Sequence, residues 1–280
     1  MSAGGYFALF DDDGGNALLL SDIRRSHQLD GAADPKALFA TLEAATAAGE
    51  WVVLAADYAL GASFEPSLAR PPPGRPVLRA WVFAKGRRLD ARAVGAFLAE
   101  RLAALPEHRR FAGIADLSSA VDAAKHGTQV REICRWIADG DCYQVHLTFP
   151  LTFQVYGDPL ALYARLRERQ PVRYGGYIFT AEETILSFSP ELFFERRGSR
   201  VLTRPMKGTA ARGATPQDDA AQRAGLLASA KERAENVMIV DLLRNDLGRL
   251  ASPGQVRVDA LFETEAYPTL WQMVSTVAAE

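Results

Sequence analysis

The spacing of apolar residues changes in the middle of the chain, and the change separates a predicted helix from a predicted strand. Over residues 128–139 apolar residues recur at helical spacing, and Gly140 ends the run. Over residues 140–151 apolar and polar residues alternate, so one face of a strand would enter the core. The other face, with Gln144 and His146, either lines a site or meets solvent.

A hairpin is predicted further along, where two strand-like runs at 192–196 and 200–204 flank Gly198. The hairpin would deliver Lys207 at its end, next to Gly208, a residue that lets backbone approach a ligand closely. Lys207 is then either an amine held beside a bound anion or a strand-end lysine in water. The hairpin alone does not decide between these two interpretations.

An earlier hairpin is predicted over residues 174–195, with its turn near residues 181–183. Pro190 interrupts strand pairing there and leaves Glu191 at a strand boundary. A carboxyl group in that position can point into a cleft and act as a general acid. The alternative interpretation is an ordinary turn glutamate.

The run at 231–249 is predicted as a helix, because Ser229 and Glu232 form a capping box at its start and Gly248 stops it. Glu235 shares a helical stripe with later apolar residues, so its carboxylate is expected to face inward. An inward charge needs a partner. That partner is either a metal ion or the lysine four residues earlier in the helix.

The N-terminal part contains predicted helices and strands without a chemical signature. The mixture of hairpins and helices in runs favours an α+β fold. A junction is predicted near residues 105–120, which divides the chain into an N-terminal portion, 1–115, and a catalytic region, 116–280. Helices are predicted at 36–48 and 90–104, and strands at 51–60 and 76–85.

The bulk composition limits the classes of partner and compartment. The chain of 280 residues is 48% apolar and has a net charge of −2, which allows a sizeable core and argues against a nucleic-acid or membrane-surface partner. Its two cysteines have no metal-binding spacing, and no apolar run approaches the length of a membrane span. A cytoplasmic protein is therefore expected.

Several segments of the chain together resemble the chorismate-utilising enzymes. They follow one another in the family's order over about residues 120–280, and the resemblance implies two large, mostly antiparallel sheets packed face to face with helices outside. The segments are CYQVHLTF (142–149), SFSPELFFE (187–195), TRPMKGT (203–209), KERAENVMIVDLLRNDLGR (231–249) and VDALFETEAYPTLWQMVSTV (258–277).

The residue at position 207 separates branches of this family. Members that make anthranilate, isochorismate or salicylate carry alanine there, whereas the branch that makes 4-amino-4-deoxychorismate for p-aminobenzoate and folate synthesis carries lysine. The resemblance therefore implies that Lys207 attacks C2 of chorismate as a nucleophilic amine, after which ammonia adds at C4 with loss of the hydroxyl. Glu191 matches the general acid that protonates this departing hydroxyl.

The same resemblance implies the surroundings of the substrate. Glu235 matches a ligand of Mg²⁺ that holds the C1 carboxylate, a role that suits the preference of this ion for oxygen ligands. Gln144 stands where water-adding members use a lysine base, and a neutral glutamine cannot take that role. Gly208 and Thr209 would shape the ring pocket. Ammonia would come from a separate glutamine amidotransferase subunit.

The resemblance also leaves alternatives open. Family chains continue past the position of Glu280 with a glycine-rich segment and a further metal-binding glutamate. The C-terminal part of the catalytic region is therefore expected to be missing, and the 280-residue chain alone is expected to have little activity. An anthranilate synthase component and a catalytically incompetent fragment are the competing interpretations.

Overall fold

The computed structural model describes residues 5–65 and 67–280, so residues 1–4 of the predicted N-terminal portion lie outside the described part. The strands are β1 (Phe7–Asp11), β2 (Ala17–Asp30), β3 (Trp51–Ala56), β4 (Pro76–Leu89), β5 (Gly113–Ser119), β6 (Leu151–Tyr156), β7 (Tyr174–Phe179), β8 (Thr184–Ser189), β9 (Leu192–Arg197), β10 (Arg200–Arg204), β11 (Met206–Ala211), β12 (Val256–Ala266) and β13 (Leu270–Ala279). The helices are α1 (Lys36–Ala47), α2 (Ala91–Ala103), α3 (Glu107–Arg110), α4 (Ala123–Asp139), α5 (Pro159–Arg169), α6 (Pro216–Ala228) and α7 (Ala230–Gly248), with short 3₁₀ turns at Asp13–Gly15 and Tyr58–Ser63.

These elements belong to two compact units. The first unit consists of the chain up to Leu98 together with Arg165–Glu280, and the second consists of Ala99–Ala164. The predicted division into an N-terminal portion, 1–115, and a catalytic region, 116–280, stays a prediction.

The first unit contains a six-stranded sheet with the order β3-β4-β2-β1-β7-β8. All five neighbouring pairs are antiparallel. Side chains alternate between the two faces of each strand, and helix α1 packs Leu42 and Ala45 against Ala80 and Val82 of β4. Burying a large apolar side chain stabilises the fold by about 1.5–3 kcal/mol. The other face carries a buried cluster of Ala8, Leu20, Val53, Trp81, Phe83 and Ile178.

A second, five-stranded sheet in the same unit is built around β13. Strand β12 pairs along β13 over most of its length, while β10 and β11 pair with it one after the other. Pro205 separates β10 from β11, because a proline has no N–H to donate to a ladder. Its carbonyl still accepts a hydrogen bond from the N–H of Ser275 at 3.1 Å. Two mostly antiparallel sheets with helices confirm the predicted α+β class.

Helix α7 packs on the five-stranded sheet. Val240 and Leu247 lie in one buried cluster with Val277 and Ala279 of β13. The N-cap is confirmed, because the Ser229 hydroxyl accepts from the N–H of Glu232, although the Ser229 N–H donates to the Leu226 carbonyl and not to Glu232 as in a full capping box. Gly248 is the last helical residue, and Arg249 is the C-cap. An N-cap of this kind contributes about 1 kcal/mol.

The second unit corrects the prediction for residues 140–151. Helix α4 is present, and Gly140 ends it with a φ of 83° as predicted. The strand that was expected after it is wrong, because residues 142–150 form neither helix nor strand and only β6 pairs with β5. Alternation alone does not make a strand when the segment has no partner within the described chain. Its apolar residues Tyr143, Val145 and Phe149 are accordingly exposed.

The other elements largely follow their sequence signals. The helices predicted at 36–48 and 90–104 are confirmed as α1 and α2. The strands predicted at 51–60 and 76–85 correspond to β3 and β4, of which the first is shorter and the second longer than expected. The predicted hairpin with its turn near residues 181–183 is confirmed as β7 and β8.

Candidate functional site

The hairpin that precedes Lys207 is confirmed, but the place of Lys207 differs from the prediction. Strands β9 and β10 pair on either side of Gly198, which has a φ of 63°. Lys207 does not end this hairpin. It lies in the next strand, β11, after the interruption at Pro205. The residue is half-buried. Strand β11 packs against β13 and α7, and these two elements therefore border the site of Lys207.

Strand β11 bulges at Lys207 and Gly208. Met206 pairs with Val274, but Thr209 pairs with Gln272, so β11 has one residue more than β13 between these pairs. A bulge leaves the extra residue out of the ladder and redirects side chains, and bulges are frequent beside active sites. Lys207 therefore occupies a position where the strand geometry is already irregular.

Gly208 is required by the bulge for two reasons. Its φ is +97°, a conformation that L side chains rarely adopt. A Cβ at this position would also lie 3.2 Å from the Cβ atoms of Glu232 and Met273. The glycine thus lets β11 approach the first turn of α7 closely, and this packing holds whether or not a ligand is bound.

Glu191 lies at the crossover between the two sheets. Strand β8 belongs to the six-stranded sheet and β9 to the five-stranded sheet, with Pro190 and Glu191 between them. The predicted strand boundary is confirmed. The residue is exposed, and its carboxylate Oε1 accepts a hydrogen bond from the N–H of Met206 at 3.1 Å. The Glu191 side chain is thereby bound to the residue that precedes Lys207.

The buried stripe of α7 differs by one position from the prediction. The buried residues of the helix are Asn236, Val240 and Leu247, whereas Glu235 is half-buried and its side chain is 38% exposed. The expected inward carboxylate is therefore wrong. The reason is that an amide with two hydrogen-bond partners occupies the buried position, where an unpaired carboxylate would cost several kcal/mol.

Glu235 is nevertheless one of two carboxylates on neighbouring turns of α7. Glu232 and Glu235 each place an oxygen 3.9 Å from the ammonium nitrogen of Lys231. The ion pair with the lysine four residues earlier, the alternative to a metal, is therefore present. Sequence reasoning missed Glu232 as a candidate ligand, because its place in the capping box already explained it.

The carboxylate pair on α7 fits the requirements of Mg²⁺. This ion needs only one or two protein carboxylates and fills its remaining positions with water and substrate oxygens. Within residues 5–65 and 67–280 no group of three or more histidine, cysteine, aspartate or glutamate side chains forms a complete metal cage. Glu232 and Glu235 supply the two carboxylates that a hydrated Mg²⁺ needs, and both side chains are partly exposed.

Asn236 is a second residue that sequence reasoning missed. Its side chain is buried at 0% exposure, and its amide Nδ2 donates to the carbonyl of Lys207 at 3.3 Å. Asparagine is a weak helix former, and here it falls on the same stripe as Val240 and Leu247. An asparagine on the apolar face of a long helix is the signal that could have identified it.

Thr209 and Gln144 occupy different kinds of position. The Thr209 hydroxyl is exposed on β11 and donates to the Gln272 side-chain oxygen at 3.0 Å. Gln144 belongs to the second unit, where it is half-buried in the stretch that lacks helix and strand. Lys207, Gly208, Thr209 and Glu191 are therefore brought together in the first unit by direct contacts along β11, and Glu235 lies on the helix packed beside them.

Arg204, the last residue of β10, pairs with carboxylates of β12. Its guanidinium lies 2.8 Å from a Glu265 oxygen and 3.9 Å from a Glu263 oxygen. It lines a cavity of about 380 Å³ whose lining includes none of the predicted site residues. The neighbouring Tyr267 hydroxyl donates to Glu265, and burial raises the pKa of this phenol above its usual range. The positive charge of Arg204 is therefore balanced within the fold.

The far end of β11 is anchored by a charged cluster around Asp219. The guanidinium of Arg212 binds both Asp219 oxygens, at 2.7 and 2.6 Å. The N–H of Gly213 and the indole N–H of Trp271 also donate to this carboxylate. These donors, Arg212 first, hold the pKa of Asp219 well below its ordinary value. The cluster fixes the end of the strand that carries Lys207.

None of the described helices is both long and apolar enough to cross a membrane. The longest, α7, has 19 residues and carries charged side chains along its length.

Sequence comparison finds aminodeoxychorismate synthases among the similar proteins. The chain is 43% identical over 155 residues to aminodeoxychorismate synthase component 1 of Klebsiella aerogenes, a match that covers 55% of this chain and 34% of that protein. It is 38% identical over 165 residues to the Escherichia coli protein of the same name, with 59% and 36% covered. The match to the Streptomyces pristinaespiralis aminodeoxychorismate synthase is 47% identical over 150 residues and covers 53% of this chain and 21% of that protein. The chain thus spans about a third or less of the length of these curated relatives.

Solved structures of more distant proteins share the fold. Anthranilate synthase component I of Streptococcus pneumoniae matches with a TM-score of 0.68 at 19% identity, over 100% of this chain and 68% of that structure. The menaquinone-specific isochorismate synthase of Escherichia coli matches with a TM-score of 0.61 at 17% identity, over 100% and 66%. The family model described as chorismate binding enzyme matches residues 16–280. The chain therefore belongs to the chorismate binding enzyme family.

Proposed function

We propose that this chain is the chorismate-binding component of an aminodeoxychorismate synthase, which converts chorismate and ammonia to 4-amino-4-deoxychorismate. The product would serve p-aminobenzoate and folate synthesis. Family membership supplies the substrate class, and the names of the similar curated proteins support the reaction. The observation that carries the proposal is the lysine in the bulge of β11, beside Gly208 and next to the residue bound by Glu191.

The proposed reaction uses the Lys207 amine as a nucleophile. Its unprotonated nitrogen forms a bond to C2 of chorismate while the ring double bonds shift and the C4–O bond breaks. Glu191 delivers a proton to the departing oxygen, which leaves as water. Ammonia then forms a bond to C4, the double bonds shift back, and the C2–N bond breaks to release Lys207 as a free amine, while the proton that the new C4 ammonium loses returns to the Glu191 carboxylate. The net change exchanges a hydroxyl for an amine and releases one water.

Two features of the fold support these roles. The bulge removes Lys207 from the regular ladder, and a bulge can aim a side chain away from the strand direction. The Glu191 carboxylate accepts a hydrogen bond from the backbone of Met206, the residue before Lys207, so the acid and the amine keep a fixed relation through β11. Preorganised groups of this kind cost no reorganisation at the moment of reaction.

Mg²⁺ is part of the proposal, with Glu235 as a ligand and Glu232 beside it. When bound, the ion would neutralise the C1 carboxylate of chorismate and fix its orientation. Glu232 and Glu235 would hold the ion through oxygen atoms, while Lys231 balances their charge in its absence. Gly208 and Thr209 would border the ring of the substrate. Gln144, a neutral amide, would not act as a base for the addition of water at C2.

The partner proposed for the chain is a glutamine amidotransferase subunit that supplies ammonia. The printed designation component 1 of the similar proteins supports a second component. A cytoplasmic location belongs to the same proposal, and the two free cysteines, Cys134 and Cys142, suit such a reducing compartment.

Product identification tests the proposed function. The full-length protein would be incubated with chorismate, an ammonium salt and Mg²⁺, and the products separated by chromatography with mass detection. We expect 4-amino-4-deoxychorismate. Anthranilate as the main product would instead assign the chain to the anthranilate branch, and unchanged chorismate would overturn the proposed synthase activity.

A further inference from the structure

Two polar side chains are buried between α7 and the five-stranded sheet, and one of them contacts the bulge that carries Lys207. Asn236 and Ser275 each have 0% exposure. The Ser275 hydroxyl donates to Asn236 Oδ1 at 2.5 Å and accepts from the N–H of Phe262 at 3.2 Å. The Asn236 amide nitrogen then donates to the Lys207 carbonyl. The network therefore connects β12, β13, α7 and β11.

A buried amide and a buried hydroxyl need such partners. An unsatisfied polar group is destabilising when it is taken out of water, and asparagine lowers helix stability relative to alanine. An apolar pair would pack α7 on the sheet without either cost. The hydrogen bond to Lys207 is the one contact of this network that reaches the proposed site.

That contact lies within the bulge. Met206 and Thr209 pair with Val274 and Gln272 of β13, and Lys207 and Gly208 lie in the register shift between these two pairs. The neighbouring backbone is bound by other groups: the Pro205 carbonyl by Ser275 N–H and the Met206 N–H by Glu191. Asn236 donates to the carbonyl of Lys207 itself.

We propose that Asn236 is a positioning residue for Lys207, with Ser275 fixing the orientation of the Asn236 amide. By holding the Lys207 carbonyl, Asn236 fixes the peptide plane of the bulge and hence the direction of the Lys207 Cα–Cβ bond. A side chain with four rotatable bonds depends on that direction for the location of its nitrogen. This inference rests on the proposed function and adds to it the residue that aims the nucleophile.

The variant that tests this role is Asn236→Asp in the full-length protein. Aspartate has the same shape but no amide N–H, so in its ionised form it cannot donate to the Lys207 carbonyl. A misplaced nucleophile lowers the chemical step about 10-fold to 100-fold. We therefore expect kcat to fall by that factor while KM for chorismate stays within about twofold, since substrate contacts are kept.

Val240→Ala is the matched control. Val240 lies one helical turn from Asn236 on the same buried stripe and packs on Val277 and Ala279, away from the bulge. Its truncation destabilises the same helix without touching Lys207. At a temperature where both variants are folded, Val240→Ala keeps the parent's kcat.

Ser275→Ala provides a second variant if Asn236→Asp does not fold. It leaves the donor of Asn236 in place but removes the hydroxyl that orients the amide, so a smaller loss of kcat is expected. Equal kcat in parent, Asn236→Asp and Ser275→Ala would overturn the positioning role, as would an equal loss in Val240→Ala. A parent that forms no 4-amino-4-deoxychorismate overturns the proposed function itself, and that result is visible before any variant is compared.

Discussion

The carboxylate of Glu191 accepts a hydrogen bond from the backbone N–H of Met206 at 3.1 Å, across 15 positions of sequence. The proposed acid is therefore attached to the strand that carries the proposed nucleophile, at the residue immediately before Lys207. The bond uses only the acceptor function of the carboxylate. The role of Glu191 in the fold and its proposed role in proton transfer can consequently be separated by substitution.

Glu191→Gln should keep the hydrogen bond and remove the acid. Glutamine retains an oxygen that accepts from the Met206 N–H, so the melting temperature should stay close to that of the parent. Loss of general acid catalysis lowers kcat by about 10²-fold to 10⁴-fold. Thermal denaturation and steady-state kinetics of the same preparation check both expectations. Glu191→Ala serves as the comparison that loses the hydrogen bond as well, and a Glu191→Gln enzyme with normal kcat would exclude Glu191 as the acid.

Glu235→Gln should raise the Mg²⁺ concentration needed for half-maximal activity without unfolding the protein. The substitution breaks the ion pair between residue 235 and Lys231, whose side chain is 77% exposed. Exposed ion pairs contribute about 0–1 kcal/mol to stability. Removing a metal ligand, in contrast, weakens binding of the ion directly.

The control for this experiment is Lys231→Met, which breaks the same ion pair and leaves the carboxylate. Its Mg²⁺ titration should match the parent or shift to lower concentration, because a competing positive charge is gone. Overlapping titrations for the parent and Glu235→Gln would show that Glu235 is structural. Isothermal titration of Mg²⁺ in the absence of substrate gives a readout that does not depend on turnover.

Gly208→Ala should destabilise the fold more than Gly198→Ala. Both glycines have positive φ, and a side chain in such a conformation costs about 1–2 kcal/mol. A Cβ at Gly198 meets nothing within 4 Å, whereas one at Gly208 lies 3.2 Å from Glu232 and Met273 side-chain carbons. Overpacking adds about 1–3 kcal/mol at the second position only. Urea denaturation of both variants measures the difference, and equal midpoints would show that β11 and α7 are not closely packed there.

Stability at acidic pH should depend on Asp219. Arg212 and its other donors hold the pKa of the folded carboxylate below the ordinary 3.8, so the folded state binds this proton less readily than the unfolded state. The resulting stabilisation is present above about pH 4 and is lost as the pH falls below it towards the folded pKa. Asp219→Asn should lower the melting temperature at pH 7 and flatten its decline between about pH 4 and pH 2.

Asp241→Asn is the control for this pH series. Asp241 pairs with Arg244 on the exposed face of α7, where its side chain is 62% exposed. Exposed pairs are screened by solvent, so this variant should follow the parent's pH profile. A decline of the Asp219→Asn melting temperature as steep as that of the parent would show that other carboxylates dominate acid unfolding.

The caps and turns of the site region could be predicted from sequence because their signals are local. Ser229, Gly248 and Gly198 each act on neighbouring backbone, and the elements that they bound are confirmed. The environment of Glu235 could not be predicted in the same way. Helical spacing alone does not distinguish Glu235 from Asn236 as the buried residue, because burial at this turn depends on hydrogen-bond partners on β11 and β13.

Local sequence signals also do not predict the bulge at Lys207. It depends on the register of β11 against β13, two strands separated by α6, α7 and β12 in the chain. The predicted strand over residues 140–151 failed for a related reason, since alternation indicates a strand only where another strand is available to pair. The resemblance to a family identified Lys207 and Glu191 as candidate catalytic residues, and the structure shows the contacts that they make.

The central claim is that Lys207 forms a covalent bond to the substrate, and trapping that bond tests it most directly. The full-length protein would be incubated with chorismate without ammonia and examined by intact-protein and peptide mass spectrometry. We expect an adduct of chorismate minus water on Lys207, no adduct in Lys207→Ala, and none in Lys207→Arg, since an arginine keeps the charge but offers no free amine. Normal formation of 4-amino-4-deoxychorismate by Lys207→Arg, with no adduct on the parent protein, would contradict the covalent mechanism.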